Sequence, residues 1–220
     1  MVKAMNLREL LSEFGLNGAL LEVLEAMLVK MAEDGLLAYE RLAELARSAA
    51  GGGVDIQELL EDLILTGQNL HLFFQGRSTD GTLEWNSAYC LPNPGEVYVM
   101  PPVIRRLILD ASRGGLDWRA SVEGCLRELG ERDAHSISLL VEELVRGAHG
   151  GLLTGAEIRD ACLRLGIPRE RVSPLIAELK GAGIISPRVS GAILSGKARD
   201  SPVYILNKTL ARVAKLANSE

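Results

Sequence analysis

Gly166-Ile-Pro-Arg-Glu-Arg-Val-Ser-Pro-Leu-Ile-Ala-Glu-Leu-Lys-Gly-Ala-Gly-Ile-Ile185 is the stretch that decides how the chain folds. Gly166, with no Cβ, permits a tight turn. Val172, Ile176 and Leu179 follow at helical spacing, so a short helix turns one apolar side toward a core. Pro174 deep inside that helix would remove a hydrogen bond, so the helix starts late, near Ser173, or is kinked. Gly183 is expected to cap it, and Ile184-Ile185 to begin a strand.

Working outward, helices are expected over about Trp118–Leu129, Ile137–Arg146, Thr154–Leu165 and Arg169–Leu179, with strands at Gly183–Pro187 and Pro202–Leu206. A last helix carries Leu210, Val213 and Leu216 on one side. The first half repeats this order. Leu11-Ser-Glu-Phe-Gly15 matches Leu126-Arg-Glu-Leu-Gly130, and Gly35-Leu36-Leu37, read as a helix opening, matches Gly151-Leu152-Leu153. Val97-Tyr98-Val99-Met100 matches Val203-Tyr204-Ile205-Leu206, and an apolar helix follows each. Four matches in one order point to an internal duplication. In the first copy, Asn6 and Glu9 have capping-box spacing. Its third helix, over Ile56–Ile64, is expected to stop at a cap near Gly67. Strands are expected at Leu70–Phe74 and Glu96–Met100. The boundary between copies is set near Ser112–Gly115, giving domains 1–113 and 114–220.

The Gly166–Ile185 stretch resembles the turn, recognition helix and first wing strand of winged helix-turn-helix domains. The resemblance covers about 70 residues of the second copy and the equivalent part of the first. It implies a mainly α fold with small β-hairpins (α+β), made of two winged-helix domains. Arg188 to Ser201 would then be a wing tip and Val203–Leu206 its return strand. Proteins of this superfamily mostly bind DNA, and many bind only proteins. In architecture alone, the chain is similar to the ScpB-type subunits of chromosome-condensing complexes and to polymerase-associated factors.

Charge separates the copies. The chain of 220 residues has 24 Lys and Arg against 29 Asp and Glu, a net of -5 that argues against indiscriminate coating of nucleic acid. Residues 1–113 hold 9 bases and 16 acids; residues 114–220 hold 15 bases and 13 acids. The first copy's third helix carries Asp55, Glu58, Glu61 and Asp62 with no base, which phosphates would repel. Glu58, Glu61 and Asp62, with Trp85 and Tyr89 in the long connector, form the candidate protein-interaction surface. A Trp folded back over its own strands is the competing reading of Trp85. In the second copy, Arg169, Arg171 and Lys180 lie on or beside the third helix, Arg188, Lys197 and Arg199 in the wing, and Lys208 on the last helix. These seven are the candidate contacts to double-stranded DNA. Against them stand Ser173, Pro174 and Ala177, poor readers of base edges, and Glu170 and Glu178, which oppose phosphate. The cluster is therefore either a DNA contact or a solvated, protein-facing surface.

Catalysis is not expected. His71, His135 and His149 form no HExxH or HxxxH pattern, and no glycine cluster matches a phosphate-binding loop. Cys90, Cys125 and Cys162 have no metal or disulfide spacing and read as buried thiols. No metal or cofactor is expected. Without a run of about 18 apolar residues or an apolar leader, the expectation is a cytoplasmic protein with no membrane partner. Arg-rich bases and few Gln and Asn suggest a thermophile. The sequence thus predicts a non-enzymatic protein of transcription regulation or chromosome maintenance, with a pure assembly subunit as the rival reading. Homodimerisation through the helices after each wing is compatible with both.

Overall fold

The computed structural model describes residues 5–50, 55–76, 93–188 and 201–218. The described residues form two compact units that divide between Asp117 and Trp118. Both are mainly helical, and each carries one small antiparallel sheet of three strands.

The first unit begins with α1 (Leu7–Glu13) and α2 (Gly18–Asp34). The Asn6–Glu9 capping box forms in both directions: Glu9 N donates to Asn6 Oδ1 at 2.9 Å, and Asn6 N donates to Glu9 Oε2 at 3.0 Å. Next come β1 (Leu36–Ala38), α3 (Tyr39–Ala49), α4 (Ile56–Asn69), β2 (Phe74–Gly76), β3 (Val97–Val99) and α5 (Pro102–Ser112). The sheet order is β1-β3-β2, with Leu36 and Phe74 both opposite Val99. α2 packs against α3 and α5. Met27, Leu28 and Met31 meet a core that also includes Leu63, Ile104 and Leu107, all without exposure. Arg105 of α5 clamps the end of α2, donating from Nε to Ala32 O at 2.6 Å and from Nη2 to Glu33 O at 3.0 Å. Those carbonyls have no partner inside their own helix, and a cation suits the negative end of the helix dipole.

The second unit repeats the order with α6 (Trp118–Glu128), α7 (Ala134–Gly147), β4 (Leu152–Thr154), α8 (Gly155–Arg164), α9 (Val172–Gly181), β5 (Ile185–Pro187), β6 (Val203–Leu206) and α10 (Lys208–Asn218). Its sheet order is β4-β6-β5. Leu36 with Val99 corresponds to Leu152 with Ile205, and Phe74 with Val99 to Ser186 with Ile205. The supporting backbone bonds also recur. Tyr39 N to Glu96 O and Gly155 N to Pro202 O are both 2.8 Å, and Met100 N to Gly35 O (3.0 Å) recurs as Leu206 N to Gly151 O (2.8 Å).

Four local expectations are corrected. The GLL segments do not open helices; each forms a strand before the helix begins. With only three residues apiece, β1 and β4 show no alternation in sequence, and pairing to β3 and β6 alone defines them. α4 does not stop at Gly67 but runs two residues further. A Cβ at Gly67 would lie 2.2 Å from the Phe73 ring, so this glycine makes room for an aromatic side chain. Leu70–Leu72 are a turn rather than strand, since His71 takes a left-handed backbone at φ 59°. Finally, α9 starts at Val172, as late as Pro174 implies, after a single 3-10 turn over Arg169–Arg171, but its buried side is Val172, Leu175 and Leu179, while Ile176 is half-buried. Pro174 is the third helical residue, where its missing N–H has no partner to lose.

Candidate nucleic-acid interface

α8 and α9 are joined by a turn set by sequence. Gly166, at φ 73°, lets Ile167 N reach Cys162 O at 2.9 Å and Gly166 N reach Leu163 O at 3.1 Å, which closes the end of α8. The start of α8 is fixed by a second capping box, Thr154 with Glu157. α9 ends the same way on Gly183, with Ile184 N on Leu179 O at 2.9 Å and Gly183 N on Lys180 O at 3.0 Å. Beyond it, Asn207 is wholly buried. Its Nδ2 donates to Gly183 O at 3.3 Å, and its Oδ1 accepts from Leu210 N at 3.2 Å, tying the end of α9 to the start of α10.

These restraints leave one side of α9 exposed: Ser173, Pro174, Ala177, Lys180 and Gly181. Arg169 and Glu170, also exposed, lie ahead of it in the 3-10 turn, and half-exposed Arg188 follows β5. Arg188 is positioned by its backbone, whose N–H donates to Val203 O at 2.8 Å. Among the described residues, Arg169, Lys180 and Arg188 make no ion pair. Lys208, exposed, is the first residue of α10.

Arg171, among the candidate phosphate contacts, is engaged inside the unit. Its Nη2 pairs with Glu131 at 2.8 Å and its Nη1 with Glu178, and these carboxylates raise its already high pKa. The guanidinium therefore joins the loop after α6 to α9. Sequence reading missed this pair because Glu131 lies 40 residues away. Lys197 and Arg199 lie outside the described residues, as do Trp85, Tyr89 and Cys90. Cys125 and Cys162 are buried and form no disulfide among the described residues, and burial raises the Cys162 thiol pKa.

In the first unit, part of the acidic surface has a local explanation. Asp55 caps α4, its Oδ1 accepting from Gln57 N at 2.8 Å and Glu58 N at 3.3 Å. Glu58 lies in the first turn, where the helix dipole favours an anion. Glu61 accepts from Gln57 Nε2 at 3.3 Å, and Asp62 is exposed. From Tyr39 to Gly76 the chain has 2 bases and 6 acids; the equivalent Gly155–Arg188 has 6 bases and 4 acids.

A protein-family model matches residues 17–217 and so runs through both units. The chain belongs to that uncharacterised family. No curated protein and no solved structure matches the chain. Family membership thus covers both units together and leaves their chemistry to be read from residues. Among the described residues, no three of His, Cys, Asp and Glu cluster as a metal site requires, and no helix is long and apolar enough to cross a membrane.

Proposed function

We propose that each unit is a winged helix-turn-helix domain, that the second contacts duplex DNA, and that the first docks a protein. The reading is of a non-enzymatic, cytoplasmic protein of transcription regulation or chromosome maintenance. One observation carries it: Arg169 and Lys180 bracket the exposed side of α9, Arg188 directly follows β5, and none of the three makes an ion pair among the described residues. Three cations on one motif suit a phosphate backbone. In the first unit, the equivalent motif has an acidic excess, which favours a protein surface over DNA.

The test is binding of a random duplex to the full chain, in the wild type and in the Arg169→Ala, Lys180→Ala, Arg188→Ala triple variant. With three phosphates engaged, log K should fall with log salt at a slope of about -3. The triple variant should lose most of the binding at low salt. Absence of wild-type binding at low salt removes the DNA reading.

A second reading, a pure assembly subunit without DNA contact, is favoured by the capture of Arg171 inside the unit and by the exposed Glu170. A pull-down with Glu58, Glu61 and Asp62 changed to their amides tests the docking role of the first unit; unchanged partners exclude these residues.

A further inference from the structure

We infer that the second unit's DNA contact is indifferent to base sequence: cations at the ends of α9 hold phosphates while the helix face between them reads no bases. This rests on the DNA reading above. A helix-turn-helix reads bases with the first residues of its recognition helix. On α9 the exposed positions there are Ser173, Pro174 and Ala177. Proline and alanine offer no side-chain hydrogen bond, and Ser173 offers one short hydroxyl. Base edges are distinguished chiefly by Arg, Lys, Asn, Gln, Asp and Glu. The nearest acid on α9, Glu178, is held by Arg171 and only 23% exposed. Lys180 lies in the last turn, at the end of the helix opposite to the base-reading residues. With Arg171 held by Glu131 and Glu178, Arg169 is the one long donor at the N-terminal end that makes no ion pair among the described residues, but it precedes the helix, with Glu170 beside it.

Each bidentate base contact discriminates by roughly 5- to 150-fold, and α9 presents none within the helix. Dissociation constants of the full chain for AT-rich, GC-rich and mixed duplexes of equal length, measured by fluorescence anisotropy at low salt, should therefore agree within about three-fold. Arg169→Ala and Lys180→Ala should weaken all three duplexes by the same factor, and Ser173→Ala should change none. Circular dichroism verifies that each variant is folded. Binding with more than about ten-fold spread between duplexes, or an Arg169→Ala loss confined to the GC-rich duplex, overturns the inference and leaves the DNA reading standing. No binding to any duplex overturns both.

Discussion

The turn that ends α4 and α9 is built on His71 in the first unit and on Gly183 in the second. The hydrogen bonds correspond: Leu72 N to Gly67 O (2.9 Å) and His71 N to Gln68 O (3.1 Å) against Ile184 N to Leu179 O (2.9 Å) and Gly183 N to Lys180 O (3.0 Å). The side chains that fill the turn differ. Where the first unit has Gly67 under the ring of Phe73, the second has buried Leu179 and Ile185. A large residue in one strand is matched by a missing side chain in the helix, and two aliphatic residues share the task in the other copy. Backbone geometry is thus held by a fixed bond pattern while core volume is distributed in two ways.

The largest effects should come from that exchange of volume. Leu179→Ala leaves a cavity and should cost about 2–5 kcal/mol, read from the second unit by amide hydrogen exchange. Gly67→Ala, with its Cβ driven into Phe73, should cost the first unit about 1–3 kcal/mol. Adding Phe73→Leu should recover part of that loss. A neutral Gly67→Ala would break the comparison.

Next in size is a brace found in the second unit. Glu142 of α7 is 8% exposed and takes both oxygens to Arg119 of α6, at 2.8 and 2.6 Å, with Arg146 also paired. Glu142→Gln should cost about 2 kcal/mol, less than a fully buried pair because both arginines reach solvent. The hydrogen bonds from Arg119, and then from Arg146, hold the Glu142 carboxyl below its ordinary 4.5, against the opposing effect of burial. A lowered folded pKa makes this stabilisation complete above pH 4.5 and lost as pH falls through the folded value. Denaturation of wild type and variant should therefore converge on acidification below that point.

Smaller effects sharpen the comparison of the two turns. Gly183→Ala should cost about 1–2 kcal/mol, because an L-residue enters the left-handed region. His71→Gly should cost about 1–2 kcal/mol, since loss of a buried ring in contact with Phe74 at 5.6 Å outweighs the relief at φ 59°. Thermal unfolding measures both outcomes. Last, Arg105→Ala removes two bonds to the end of α2 and should cost the first unit about 1 kcal/mol.

Legibility followed the range of the interactions. The Asn6–Glu9 box, the Gly183 stop, the late start of α9 and the repeated VY strands are set within a few residues, and each was readable. Gly67 was misread because Phe73 fills its space only after the chain turns at His71. The exposure of Arg169, Lys180 and Lys208 agrees with their charge, while Lys197, Arg199, Trp85 and Tyr89 lie outside the described residues. The exception, Arg171, depends on a carboxylate 40 residues away.

By itself, the amino-acid sequence determined the mainly helical class, the two-fold repeat, the positions of most caps and the contrast in charge between halves. These rest on local geometry and composition, which no distant contact needs to complete. Tertiary structure alone decided that β1 and β4 exist, that Gly67 accommodates Phe73, and that Arg171 serves the fold while Arg169 and Lys180 stay exposed. β1 and β4 gain their ladder hydrogen bonds from strands 49 to 63 residues along the chain, and an ion pair forms only where folding brings its charges together.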